Sequence, residues 1–320
     1  MDSHLSAAAR AAFEALIDYA GLYPPAQLSM EDAIAEYAAA RDGSTSWMLG
    51  RFIVGASRAM DAKAVWGAPG GRPPLALSVI LDADPDPRRW FASLHALLDG
   101  LAASRASVFV ARAEAFEVPL PPLLSARETF DAPIGQLRAS LDRAGLGDVP
   151  AYVELPAGAL RHELLSGAMA ALARTRLGAK IRCGGVVADA FPSVDDIAGF
   201  IAATARQGVP FKATAGLHHP VRHRDPATGF TMHGFLNILA AATFAPGADE
   251  ATLRSIVAEE DAGAFRFDGD TFAWRERRAG VDDLKRMRET AFVGYGSCSL
   301  REPVDDLTAL GILPTASSTA

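Results

Sequence analysis

From residue 75 onward the chain alternates short apolar runs with longer stretches whose apolar residues recur every three to four positions. The short runs, at 75–81, 107–111, 151–155, 179–183 and 211–214, predict strands. The stretches between them, at 87–103, 133–144, 160–176 and 193–206, predict amphipathic helices. Strands that alternate with helices at this spacing predict a parallel sheet. Ahead of this body, 5–20 and 30–40 read as helices, with Ser29 as N-cap of the second. The run 47–54 is a candidate first strand, and a Gly/Pro-rich loop spans 67–74. Behind it lie an apolar helix at 230–244, a helix at 250–260 and two short strands about an Asp-Gly turn at 265–274. A helix at 282–290, a last strand at 292–299 and a closing helix at 303–310 follow.

The predicted architecture is α/β, a (β/α)8-like TIM barrel. It has an N-terminal helical segment over 1–70, the barrel over 71–313 and a tail over 314–320. An open doubly wound sheet is the alternative, but neither G-x-G-x-x-G after the first strand nor G-x4-G-K-[ST] occurs.

Half of the 320 residues are hydrophobic, enough for a sizeable core. A formal charge of −7 and a pI of about 5.5 argue against nucleic acid or an anionic membrane as partner. Two distant cysteines, Cys183 and Cys298, predict no disulfide framework and fit a reducing compartment. The N-terminus lacks the pattern of a signal peptide and no apolar run is long enough to span a membrane, so the expectation is a cytoplasmic protein. The apolar N-terminal helices are a candidate homo-oligomer contact.

The chemistry concentrates between residues 178 and 223. Period-two alternation puts Lys180 and Arg182 on one face of their strand and Lys212 and Thr214 on one face of the next. Both strands break into glycine, at Gly184-Gly185 and Gly216, where backbone N–H groups can approach an oxyanion. Cations before glycine-rich loops at strand carboxyl ends mark ligand sites in α/β proteins. With Glu154 on the preceding strand, three cations face one carboxylate, and the excess predicts a small anionic metabolite as guest. Mutual repulsion among the cations would lower a lysine's pKa and make it nucleophilic. His218, His219, His223 and His233 fall in one short window, with Arg222 and Arg224 among them. His218 and His219 are candidate proton carriers. A metal on the His218/His219/His223 loop is an open alternative, without H-E-x-x-H, H-x-H or a cysteine pair to support it, and no metal or cofactor is expected. Asn237 is a candidate polar contact on the following helix. Asp82 and Glu114 are possible acid–base partners, and 294–299, small and polar after the last strand, is a candidate phosphate position.

Lys180 and Lys212, 32 positions apart on consecutive strands, resemble the lysine pair of deoxyribose-phosphate aldolases. Phe211-Lys-Ala-Thr-Ala-Gly216 is similar to their Lys-Thr-Ser-Thr-Gly strand, which in those aldolases comes first of the pair and here comes second. The resemblance covers some 40 residues. It implies a Schiff-base lysine at Lys212 or Lys180, with the other lysine tuning it. The longer strings, K-x-R-C-G-G and K-A-T-A-G-L-H-H-P, resemble an uncharacterised bacterial family and imply no activity. Together these readings predict a lyase of aldolase type, or an isomerase. Lys212, Lys180, His218, His219 and Glu154 would be catalytic. Arg182, Thr214, Gly184, Gly185, Gly216, Arg222 and Asn237 would bind substrate. A non-catalytic anion-binding or assembly module and a metal-dependent hydrolase are the alternatives.

Overall fold

The computed structural model describes residues 5–67, 73–105, 111–121, 130–160, 162–185 and 187–315. The predicted strand positions 107–110, most of the 67–74 loop, Pro122 and the tail beyond 315 lie outside these residues.

Eight parallel strands close into a barrel. In chain order they are β1 (Ile17–Tyr19), β2 (Leu49–Gly55), β3 (Leu75–Ile80), β4 (Ala111–Pro119), β5 (Ala151–Glu154), β6 (Gly178–Arg182), β7 (Phe211–Thr214) and β8 (Phe292–Ser297). β8 pairs with both β7 and β1 and so shuts the ring. The fold is the (β/α)8 barrel that strand–helix alternation predicts, not the open sheet.

Two boundaries differ from the sequence reading. The helix predicted over 5–20 stops at Phe13, and Ala15 turns left-handed at φ 46°. That turn frees Ile17–Tyr19 to serve as β1. With β2 also drawn from the first 70 residues, a division at residue 70 cuts the barrel between β2 and β3 and does not separate a helical segment from it. β4 also runs later than the apolar pattern suggests: Ala111–Pro119 carries Arg112, Glu114 and Glu117, and its register against β3 shifts between Leu77 and Ser78.

The helices that shield the outer face form for local reasons. Val194–Gln207 opens with a capping box at Ser193 and Asp196, presents Ile197, Phe200 and Ile201 to the core, and ends at Gly208 in the left-handed conformation. Phe235–Phe244 is apolar on nearly every face and is buried almost entirely, as an all-apolar helix must be. The predicted Asp-Gly hairpin forms at Phe265–Asp268 and Thr271–Trp274, and Arg277–Gly280 adds a third strand.

The barrel interior is polar where six strands meet. Side chains of Asp18, Ser78, Glu117, Lys180 and Lys212 are buried there, with Glu154 half-buried above them. Gly296 on β8 lets Ile53 and Thr214 pack close against its backbone: a Cβ at that position would stand 2.9 Å from Ile53 Cδ1 and 3.1 Å from Thr214 Oγ1.

Candidate active site

Glu154, Arg182 and Thr214 close their strands and form the carboxyl-end rim of the barrel. One layer below, Lys180 and Lys212 stand opposite each other across the β6–β7 pair. Their ammonium groups converge on one carboxylate. Lys212 Nζ donates to Glu117 Oε1 at 2.5 Å, and Lys180 Nζ pairs with Glu117 Oε2 at 2.6 Å. Lys212 also donates to Asp18 Oδ2 at 2.5 Å and to Ser78 Oγ at 3.0 Å, so all three of its N–H donors are engaged. Ser78 Oγ in turn donates to Glu117 Oε1 at 2.7 Å. Lys180 has a second carboxylate, Glu154 Oε2 at 2.8 Å, which leaves its third donor without a partner among the described residues. Beneath the layer, the Tyr152 ring faces Lys212 Nζ at 5.9 Å.

Lys212 is 1% exposed and Lys180 3%, yet their settings differ. Lys212 is locked between buried groups. Lys180 leans toward Glu154, which is partly open to solvent and lies 3.9 Å from the half-exposed Arg182. Burial and then the charges of Glu117 and Asp82 push the phenol of Tyr23, in the turn after β1, up to about 12, against Lys180 and Arg58. Asp82 is held by Ser57, whose Oγ donates to Oδ2 at 2.5 Å.

The electrostatics reverse one expectation. Burial acts to lower the Lys180 value, but Glu117 and Glu154 outweigh it, and the ammonium is held above the ordinary lysine range. For Lys212, burial is likewise outweighed by Asp18 and Glu117. Burial acts to raise Glu117, and the two lysines overcome it, holding the carboxyl well below its usual range. The lysines therefore rest as ammonium ions, not as amines depressed by neighbouring cations. The charge excess predicted for this face also disappears: Asp18 and Glu117 join Glu154 and balance Lys180, Lys212 and Arg182. Neither new carboxylate was singled out from the sequence. Each faces inward from its strand, but the helical reading of 5–20 concealed Asp18 and the early placement of β4 concealed Glu117.

The histidines do not meet the lysines. His218 Nδ1 lies 3.0 Å from Glu302 Oε2, and His219 Nδ1 lies 2.6 Å from Asp306 Oδ2, both on the closing helix Arg301–Ala309. His223 packs edge-on against His219, and His233 is bonded to the Pro192 carbonyl. Arg222 pairs with Glu260 on the surface. Asn237, expected as a ligand contact, is a buried clamp. Its Nδ2 donates to the carbonyls of Ile256 and Glu259 and its Oδ1 accepts from Arg222 N–H, so both amide protons are spent on backbone.

Gly216, in the left-handed conformation at φ 69°, crosses close over Gly184, where a Cβ on either would crowd the other's Cα. Gly185 follows in the same turn, packed against Ala190. These glycines serve a tight crossing of the loops after β6 and β7. Cys298 lies 3.9 Å from both ring nitrogens of His218, and burial pushes its thiol up, so it is not set as a nucleophile. Among the described residues no group of three or more His, Cys, Asp and Glu side chains is placed to hold a metal ion, and no helix is long and apolar enough to cross a membrane.

The fold is that of the (β/α)8 barrel proteins, and comparison with a solved aldolase agrees. The chain is similar to the tetrameric deoxyribose phosphate aldolase from Aeropyrum pernix, with a TM-score of 0.50 and 11% identity over 94% of this chain and 93% of that one. It also aligns with the carboxyl transferase domain of Rhizobium etli pyruvate carboxylase, solved with pyruvate, with a TM-score of 0.44 and 15% identity over 80% of this chain and 44% of that one. No protein-family model and no curated protein matches the chain. At such identities the aldolase likeness establishes the fold alone.

Proposed function

We propose that the barrel is a lyase of aldolase type, or an isomerase, that forms a Schiff base between Lys180 and a small carbonyl metabolite. The observation that supports this reading is the shared carboxylate: two ammonium groups on neighbouring strands bridge through Glu117 at 2.5 and 2.6 Å, beneath the carboxyl-end rim. Lys180 is the nucleophile because it alone of the pair retains a donor without a partner and reaches a partly solvated carboxylate, Glu154. Lys212, fully engaged and deeper, keeps its charge and holds Glu117 in place.

In the reaction Lys180 passes one proton to Glu154, and the free amine attacks the carbonyl carbon. The carbonyl oxygen takes up the second amine proton and then the proton held by Glu154, and leaves as water. A protonated imine remains on Lys180, and this electron sink accepts the electron pair of an adjacent C–C or C–H bond. Lys212 and Glu117 supply fixed charge beside it without reorganisation. Arg182 is the rim group suited to a phosphate or carboxylate on the substrate. We test this by borohydride reduction in the presence of short aldehydes, ketones, 2-oxo acids and sugar phosphates, followed by mass mapping. The expected result is one reduced adduct on Lys180, lost in Lys180→Arg. No adduct on either lysine with any carbonyl removes the proposal.

One observation favours a second reading. Every charge in the layer is balanced, and the half-buried Glu154 caps Lys180. A barrel held together by these ion pairs, without catalysis, fits the non-catalytic module, and it predicts neither an adduct nor turnover.

A further inference from the structure

The opposite, amino-terminal mouth of the barrel holds a cavity of about 640 Å³. This lies within the usual range of small-molecule sites, roughly 300–1,000 Å³. Three arginines reach it from three elements: Arg41 from the helix Met30–Asp42, Arg51 from β2 and Arg288 from the helix Val281–Thr290. Tyr37, Trp47 and Tyr152 supply aromatic walls. The acid lining it is Glu114, 3.7 Å from Arg51 Nε and shared with Arg112 at 2.5 Å, and the buried Asp18 stands 3.8 Å from Arg51 Nη1.

The three guanidiniums outnumber the one acid that lines the cavity. Neither Arg41 nor Arg288 has a carboxylate partner within ion-pair distance among the described residues. Arg41 stands near the Tyr37 and Trp66 rings. Arg288 donates instead to backbone carbonyls of Glu14, Ala15 and Phe292. The Nε groups of Arg51 and Arg288 are buried with no hydrogen-bond partner. Burial brings Arg288 down to about 10, with Asp18 opposing and Arg51 adding to the effect, as expected where cations crowd.

We propose that this cavity binds a small multivalent anion, a phosphate ester or a polycarboxylate, between the guanidiniums of Arg41, Arg51 and Arg288. Planar, forked donors from three elements suit the paired oxygens that a phosphate or a carboxylate presents. The site is distinct from the carboxyl-end rim but wired to it. Arg51 N–H donates to Asp18 Oδ1 at 2.6 Å and Arg51 Nη1 stands 3.8 Å from Asp18 Oδ2, the oxygen that holds Lys212. An anion that recruits Arg51 therefore draws on the carboxylate that fixes Lys212.

The test is calorimetric titration of the whole protein at low salt with inorganic phosphate and, separately, with succinate, against sodium chloride of equal ionic strength. Fluorescence of Trp47, isolated by comparison with Trp47→Phe, reports where the anion sits. The expected result is saturable binding of at least one probe, weakened about tenfold by Arg41→Gln and by Arg288→Gln, with a Trp47 signal. Preference for phosphate or for succinate identifies the ligand class. Arg288 also holds backbone carbonyls, so Arg41→Gln, which loses contacts with the Tyr37 and Trp66 side chains and none with backbone carbonyls, keeps the test valid if the Arg288 variant does not fold. The proposal is overturned by no saturable binding up to about 10 mM, by equal binding in wild type and Arg41→Gln, or by an effect that chloride reproduces. Loss of binding in Arg182→Gln but not in Arg41→Gln would place the anion at the opposite rim and also overturn it. The readout is binding, so it stands whether or not the barrel forms a Schiff base.

Discussion

Replacing Glu117 by glutamine keeps the shape of the side chain and removes the charge on which both lysines converge. In the wild type its two oxygens lie 2.5 Å from Lys212 Nζ and 2.6 Å from Lys180 Nζ, with all three side chains buried. Breaking one side of a buried pair costs about 3–5 kcal/mol, because the partner charge stays buried and uncompensated. Here Asp18 and Glu154 still face the lysines, which puts the expected loss at the lower end, about 3 kcal/mol. With an unfolding entropy of about 2.1 cal/mol/K per residue, that loss lowers Tm by roughly 4 °C at pH 7. The sign with pH follows from linkage. Glu117 is held well below the usual carboxylate range when folded, so its contribution is complete above the unfolded value, about pH 4.3, and fades as pH falls below it. Differential scanning calorimetry of wild type and Glu117→Gln from pH 3 to pH 8 should show a gap that is constant above about pH 5.5 and narrows in acid. A gap of less than about 1 °C at pH 7, or one that widens in acid, would refute the assignment of Glu117 as the shared counter-charge.

Further expectations follow from the same geometry. Lys180 and Lys212 both have raised values, so their stabilisation is full below the unfolded lysine value, about pH 10.4, and is lost as pH rises through the folded values; a Lys180→Met/Lys212→Met double variant should flatten the alkaline limb of the Tm profile. Asn237→Ala should cost about 2–4 kcal/mol, since it strands two buried carbonyls and one N–H, without altering carbonyl trapping on Lys180. Gly296→Ala should destabilise by about 1–3 kcal/mol through overpacking against Ile53 and Thr214, read by chemical denaturation. Burial pushes Cys183 up to about 12 and raises Cys298, so neither should react with iodoacetamide at pH 7.5 in the native protein; rapid labelling of either would contradict this burial.

The barrel and the convergence of Lys180 with Lys212 were legible because they rest on local signals: period-two strands, capped helices between them, and adjacent positions in sequence order. What completed the site was not local. Lys212 meets Asp18 across 194 positions and Glu117 across 95. Asp18 was hidden because the alanine-rich pattern of 7–13 runs on without a breaker, and Ala15 adopts its left-handed turn with no glycine to announce it. Glu117 was hidden by a strand whose solvent end carries Arg112 and Glu114 and whose register slips against β3. A charge-rich strand reads as surface, and only closure of the ring makes it interior. The histidine cluster misled for the opposite reason: four imidazoles close in sequence disperse to Glu302, Asp306 and backbone carbonyls once the loop folds.

The interior layer draws Asp18, Ser78, Glu117, Glu154, Lys180 and Lys212 from six different strands on both halves of the chain. A half-barrel cut after β4 would carry Asp18 and Glu117 without their lysines, and its complement would carry the lysines with a single acid. Neither piece can reach neutrality alone, so this chain should resist being divided into autonomous halves. The two fragments, each expected to stay unfolded when expressed separately, should recover native circular dichroism only on mixing.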